Sequence, residues 1–388
     1  MSRFDEVLNR MNTNSVKWDT KRIFGMDDIL PMWVADMDFK APDEVLNALH
    51  ARVEHGIFGY TIPSAQTEQA IQNWLKTRHH WEIDTSIITY SPGIVTAISL
   101  AIQAYTGPDD KIVVQPPVYY PFFEVAKKHN REVLYNQLLL NNDHRYDIDF
   151  DDLEAKLSDP MTKMFILCNP HNPSGRVWRK EELERIGELC IKHDVLIVSD
   201  DIHSDLLLFD NHYTPIASIN HEIADRTITC IAPSKTFNLA GLQASAVLIS
   251  NDTLKRKYNA VLQLYGLFTL NTLGTDAMEA AYTHGAKWLD ELIDYLQGNI
   301  HFIEDFLKEH LPELKVMRPE ATYLVWLDAR YLKKTDKEIK ELLLTKGKLG
   351  LEPGSKFGEN GAGFLRMNIA CPRETVEDGL NRLVRALK

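Results

Sequence analysis

The sequence predicts an α/β protein with a large domain, a mostly parallel sheet flanked by helices, and a smaller α+β domain. Three observations carry this expectation. Short apolar runs alternate with amphipathic helical patterns from Ile87 to Ile231. Such runs, spaced by helices, mark parallel strands covered on both faces. The alternation then stops at a long helical stretch from about Thr272 to His310, beyond which a different set of strands and helices follows. The expected division is 46–285 for the large domain, with 1–45 and 286–388 forming the smaller one.

Taken in order, the first forty residues have little periodicity and end in the apolar, aromatic-rich run Leu30 to Phe39. An arm of that composition is expected to pack against the smaller domain. Helices are expected from Asp43 to His55, opened by Pro42, and from Ser64 to about His80. Between them lies a turn-rich loop, Gly56 to Pro63, that exposes Tyr60. Ile87 to Tyr90 reads as a strand running through Ser91-Pro92-Gly93 into a helix from Ile94 to Tyr105. Ile112 to Gln115 precedes a helix starting near Tyr120, and Met164 to Cys168 precedes a loop and a helix from Glu181 to His193. Val195 to Ser199 ends at Asp200, and Ile228 to Ile231 leads to Lys235. The remaining elements are Leu314 to Met317, Tyr323 to Leu327, a helix opened by the capping box Thr335 to Glu338, Phe364 to Ile369, and an amphipathic helix from Glu374 to Leu387.

Composition narrows the function classes. The chain has 388 residues, 44% of them hydrophobic, and a formal net charge of -12. No basic block offsets that charge, so neither nucleic acid nor an anionic membrane is an expected partner. The four cysteines are far apart and form no CxxC pair, which suggests no disulfide framework and no metal site. The polar, acidic N-terminus does not resemble a signal peptide, and no run approaches the roughly 18 apolar residues of a membrane span. A cytoplasmic protein is expected.

In open parallel sheets, ligands bind beyond the carboxyl ends of the strands, and the candidate site residues sit there. Lys235, within Ala232-Pro233-Ser234-Lys235-Thr236-Phe237-Asn238, follows an apolar strand. Desolvation at such a place favours the neutral amine, a nucleophile able to form a Schiff base with a carbonyl. Alone it reads first as a loop lysine on the surface, and only the company of the other motifs overturns that. Asp200 reads as a strand-tip carboxylate or a helix N-cap, and His203 as a ligand or a satisfied core histidine. Asn172, in Asn169-Pro170-His171-Asn172-Pro173-Ser174-Gly175, reads as a ligand or as turn chemistry. Gly93-Ile94-Val95 opens a helix, where free N–H groups and the helix dipole suit a phosphate.

In this order and with these separations the motifs resemble the fold-type I pyridoxal-phosphate enzymes of the aminotransferase class I/II superfamily, over nearly the whole chain from Trp33 to Arg366. The resemblance implies pyridoxal 5'-phosphate as cofactor. It makes Lys235 the Schiff-base lysine and proton shuttle, and Asp200 the partner of the pyridine nitrogen. Asn172 and His203 would bond the ring's phenolic oxygen, and Tyr119 would stack on the ring. Gly93, Ile94, Val95 and Ser234 would surround the phosphate, with Tyr60 reaching it from a second subunit of a homodimer. Arg366 would hold the substrate carboxylate beside Asn172, with Trp33 and Ala35 at the entrance. Two positions depart from the common pattern. Gln243 stands where an arginine or lysine often holds the phosphate, and Ala232 where serine is common, so the phosphate site is less charged than usual.

Within the superfamily, Val16 to Asp19, Leu30 to Phe39, Phe58-Gly59-Tyr60 and Ala232 to Gln243 resemble the MalY/PatB group of C–S β-lyases. That implies α,β-elimination from a sulfur amino acid such as L-cystathionine or another cysteine S-conjugate. An aminotransferase using a keto-acid acceptor, and a protein of this fold that binds a regulatory protein partner, remain alternatives.

Overall fold

A computed structural model describes residues 2–388. Seven strands form its main sheet in the order Ile88–Ser91, Ser245–Leu248, Thr227–Ile231, Leu196–Asp200, Thr162–Cys168, Lys111–Val114 and Glu132–Tyr135. All neighbouring pairs are parallel except the two that involve Ser245–Leu248, which runs antiparallel to both of its neighbours. The central strands are apolar on both faces because helices cover both, and Thr162–Cys168 buries all but one of its residues. Helix Ile94–Tyr105 packs there with Ile94, Ala97, Ile98, Leu100, Ala101 and Ile102 all buried. Each large aliphatic side chain so removed from water is worth about 1.5–3 kcal/mol.

A second sheet holds four antiparallel strands in the order Lys315–Met317, Leu324–Asp328, Phe364–Asn368 and Glu352–Pro353. Helix Arg373–Leu387 lies beside it and buries Val376, Leu380 and Leu383. The N-terminal arm joins this layer: Leu30–Pro31 pairs in parallel with Leu349–Gly350. Further on, the Asn368 N–H donates to the Met32 carbonyl at 2.9 Å, and the Asp38 N–H to that of Ala370 at 2.8 Å. Two of the arm's carboxylates are tied down from within it, Lys17 Nζ donating to Asp38 at 2.7 Å and Arg10 to Asp36 and Asp38.

The helical stretch expected from Thr272 to His310 is two helices, Thr272–His284 and Ala286–His310. The break falls at Gly285, where a Cβ would lie 2.4 Å from the Phe237 ring and 2.5 Å from the Ala281 carbonyl. Several elements have no counterpart among the expected ones, the longest being strands Glu132–Tyr135 and Ser245–Leu248 and helices Phe150–Leu157 and Asp252–Leu264. Among the described residues no helix is long and apolar enough to cross a membrane, and no cluster of side chains forms a metal site.

Candidate active site

Strands of the main sheet deliver their last residues to one cavity of about 380 Å³, closed on the far side by the arm and the second sheet. Lys235 enters it from the short helix Pro233–Thr236, which directly follows strand Thr227–Ile231. Its Nζ donates to the Ala35 carbonyl at 2.6 Å, and the same oxygen accepts from the Tyr323 hydroxyl at 3.1 Å. Burial, reinforced by the nearby Arg366 cation, brings the ammonium down to about 8, against the pull of Asp36 and Asp200. Far more of this amine is therefore neutral near physiological pH than of an ordinary lysine, although the ammonium still predominates.

Asp200 ends strand Leu196–Asp200. Burial pushes its carboxyl up to about 7, with the Ile202 N–H at 3.2 Å and Lys235 working in the opposite direction. A carboxylate in that condition gains from a cationic partner. His203 is 2% exposed, and its Nδ1 is buried with no hydrogen-bond partner. Burial holds the imidazole well below its usual value, aided by Lys235 and Arg366, so the ring is neutral.

Arg366 projects from strand Phe364–Asn368. Nη1 donates to Asn172 Oδ1 at 3.0 Å and Nη2 to the Trp33 carbonyl at 2.9 Å, while Nε is buried without a partner. The Tyr119 phenol is raised to about 12, chiefly by burial and then by Tyr120 and Asp200, and its ring meets that of Phe122 edge-on at 5.7 Å. Ile94 and Val95 begin a twelve-residue helix after Gly93, so their N–H groups have no intrahelical acceptor. Ser234, Gln243, Trp33, Ala35 and Glu352 also line the cavity.

The structure thus gathers Lys235, Asp200, His203, Asn172, Tyr119, Gly93, Ile94, Val95, Ser234, Arg366, Trp33 and Ala35 around one space. Tyr60 is the exception: it lies outside the cavity and is 98% exposed. Pyridoxal phosphate fits what is present. The orphaned His203 Nδ1, the carboxyl of Asp200 in need of a cation, the near-neutral Lys235 amine and the open helix terminus are complementary to phenolic oxygen, pyridinium, aldehyde and phosphate.

Several groups at or under the site left no mark in the sequence pattern. Asp205 is buried beneath Lys235 and accepts from Thr236 Oγ1 at 2.7 Å and from Trp74 Nε1 at 2.8 Å, with His79 Nε2 at 2.7 Å. Asp201 accepts from Ser199 Oγ at 2.5 Å and from the Tyr213 hydroxyl. Glu352 stands directly opposite Arg366 across the strand pair. The Asp205 set joins segments as much as 131 positions apart, which no local spacing reveals. Asp205, five residues beyond Asp200 and immediately before the apolar run Leu206 to Phe209, offers no signal of its own.

Fold and site together define a pyridoxal-phosphate-dependent enzyme of fold type I. The family model described as aminotransferase class I and II matches residues 28–383. Cystathionine beta-lyase PatB of Bacillus subtilis (strain 168) is 52% identical over 385 residues, 99% of each chain. Protein MalY of Escherichia coli (strain K12) is 33% identical over 391 residues, covering 100% of this chain and 99% of its own. Among solved structures, cystalysin of Treponema denticola, which contains a pyridoxal 5'-phosphate cofactor, superposes with a TM-score of 0.96 at 36% identity, over 99% of this chain and 98% of that one. The chain belongs to the aminotransferase class I and II family, and within it to the MalY/PatB group of carbon–sulfur lyases.

Proposed function

We propose that the protein cleaves the Cβ–S bond of L-cystathionine, and of related cysteine S-conjugates, to give a thiol, pyruvate and ammonia. For L-cystathionine and one water the products are homocysteine, pyruvate and ammonia. The observation that carries this reading is the convergence of a near-neutral Lys235, the buried Asp200 and the partly unpaired Arg366 on one cavity. The 52% identity to a cystathionine beta-lyase supports elimination over amino-group transfer.

Lys235, Asp200, His203, Asn172 and the Gly93–Val95 turn would hold pyridoxal phosphate, which when bound would supply the electron sink for carbanion chemistry at the substrate Cα. Arg366 orients the substrate by its α-carboxylate, a task suited to a planar guanidinium with a free Nε. The Lys235 Nζ removes the α-proton, since an amine whose acidity lies near the working pH is an effective base. Asp200 keeps a proton on the cofactor's ring nitrogen. Tyr119 packs against the cofactor ring, and Trp33 with Ala35 limits water from the arm side.

We further infer that the working unit is a homodimer. Ile57, Phe58, Tyr60 and Ile62 are exposed in one loop, and Leu264, Tyr265 and Phe268 in another. The Thr61 and Thr272 hydroxyls, 2.8 Å apart, tie the two segments together. A contiguous apolar patch of this kind marks an association surface, and Tyr60 on it would reach a second copy's phosphate end.

The test runs two assays on the purified holoenzyme. One follows pyruvate and free thiol released from L-cystathionine without a keto acid, and the other follows amino transfer from a panel of amino acids to 2-oxoglutarate. Stoichiometric pyruvate and thiol are expected. Turnover that requires an acceptor overturns the lyase reading in favour of an aminotransferase.

A further inference from the structure

Five ionisable side chains other than phenols and a thiol line the cavity: Asp200, His203, Lys235, Arg366 and Glu352. The reading above uses the first four and leaves Glu352 without a task. Glu352 is 7% exposed, a burial that a carboxylate tolerates only with partners. Its strand pairs antiparallel with that of Arg366, and the two residues are direct cross-strand partners. They therefore share one face of the sheet, the face turned to the cavity.

The two are nonetheless not closely bonded. Glu352 Oε2 lies 4.0 Å from Arg366 Nη2, beyond hydrogen-bond reach. Glu352 Oε1 instead accepts from Lys356 Nζ at 2.8 Å. The ammonium of Lys356 is 4.3 Å from the centre of the Tyr120 ring and 6.0 Å from that of Trp33. Tyr120 and Trp33 themselves line the cavity. The cavity thus presents one carboxylate oxygen with no hydrogen-bond donor among the described residues and two aromatic rings, and the Lys356 ammonium lies just behind them, bonded to Glu352 and set against both rings. Glu352 and Lys356 neutralise each other, but Glu352 Oε2 and the remaining N–H groups of Lys356 are left without a hydrogen-bond partner, and no part of a simple S-alkylcysteine supplies one.

We propose that Glu352 and Lys356 form a second recognition site that selects substrates whose sulfur leaving group is itself an amino acid, bearing both an ammonium and a carboxylate. Glu352 Oε2 accepts from the distal ammonium, Lys356 Nζ donates to the distal carboxylate, and the rings of Tyr120 and Trp33 flank the thioether chain between. Glu352 and Lys356 are specificity-determining residues, separate from the groups that hold the cofactor and the α-carboxylate. The proposal deepens the lyase reading and rests on it.

The experiment compares holoenzyme and its Glu352→Gln and Lys356→Met variants on three probes. These are L-cystathionine, S-(3-carboxypropyl)-L-cysteine, which lacks the distal ammonium, and S-methyl-L-cysteine, which lacks both distal charges. The quantity read is kcat/KM for each probe relative to S-methyl-L-cysteine. For Glu352→Gln, the L-cystathionine ratio is expected to fall about tenfold to hundredfold, through KM, as loss of a charged hydrogen bond requires. The carboxypropyl ratio is expected to fall only in Lys356→Met. If Glu352→Gln slows all probes alike, keeping the L-cystathionine ratio within about twofold, Glu352 merely supports Arg366 and the proposal fails. Binding is read independently from the cofactor's absorbance as each probe is titrated. Binding without pyruvate release overturns the lyase reading, while the ratio of binding constants still decides the role of the pair. A wild-type holoenzyme that binds L-cystathionine no better than S-methyl-L-cysteine overturns the proposal.

Discussion

Lys235 combines a nucleophile's position with a lowered proton affinity, and the two have separate consequences. Its ammonium is brought down to about 8 by burial and by Arg366. In the cofactor-free protein the rate of reconstitution with pyridoxal phosphate, which needs the neutral amine, should rise from pH 7 and level off above about pH 9. A rate still climbing towards pH 10.5, the ordinary lysine value, would show that Lys235 is not desolvated. Lys235→Ala should retain the fold by circular dichroism yet lose lyase turnover, and normal activity in that variant would refute the assignment. Arg366→Ala should raise KM for amino-acid substrates by at least about thirtyfold, the effect of truncating one partner of a buried charged contact. Unchanged steady-state kinetics would place the carboxylate elsewhere. Asp205 is the structural counterpart below the site. Burial alone would raise its carboxyl, but His79, Thr236 and Trp74 hold it below the usual value. Its folded-state affinity for a proton is thus depressed, so its contribution to stability is complete above the unfolded carboxylate value. That contribution is lost as pH falls through the folded one. Asp205→Ala should cost about 3–5 kcal/mol in denaturant unfolding, because three donors lose their shared acceptor. At this scale the positions of Lys235 and Asp200 were legible because each follows a strong apolar run, whereas Asn172, His203 and Arg366 stood out through the resemblance of their motifs to the family. Asp205 and Glu352 were not legible, because their meaning comes from Trp74, His79 and Arg366, which only folding brings near.

At the scale of elements, capping residues mark several helix starts but do not by themselves make a helix legible, since Asp149 and Asn251 cap the unexpected helices Phe150–Leu157 and Asp252–Leu264. Ser64 caps Ala65–His79, and Thr335 caps Asp336–Leu342 with a reciprocal bond from Glu338. Strands with long apolar runs were clear. Strand Ser245–Leu248 was not, since four small or aliphatic residues next to a turn carry no period. Its antiparallel direction follows from a reversal after the Lys235 segment rather than from any residue within it. The turn that begins at Gly354, just beyond Glu352, shows how little room such junctions leave. A Cβ on Gly354 would lie 2.0 Å from the Gly361 carbonyl oxygen and 2.8 Å from that of Phe364. Both obstacles are backbone, which cannot swing away as a side-chain end does. Gly354→Ala should therefore lower thermal stability by about 1–3 kcal/mol or more. An unaltered Tm would mean that the two loops separate freely.

For the whole molecule, the apolar face carrying Ile57, Phe58, Tyr60, Ile62 and Phe268 is the feature that a single chain leaves unexplained. Ile62→Arg combined with Phe268→Arg should convert a dimer to monomers by light scattering and weaken pyridoxal-phosphate retention with it. A monomeric wild-type protein with full cofactor occupancy would remove the second subunit from the site. The overall α/β character was legible in the alternation of runs and helices. The closure of the cavity was not, because Trp33 and Arg366 touch across 333 positions and Lys235 meets Ala35 across 200. Those separations also set a timetable. A chain leaving the ribosome presents Trp33 and Ala35 first, Lys235 200 positions after Ala35, and Arg366 last of the four. Until Arg366 emerges, a nascent chain holds the Lys235 amine without the guanidinium that meets Trp33 and Asn172. On the proposed reading, a chain cut short before Arg366 would carry the nucleophile without the group that would hold a substrate.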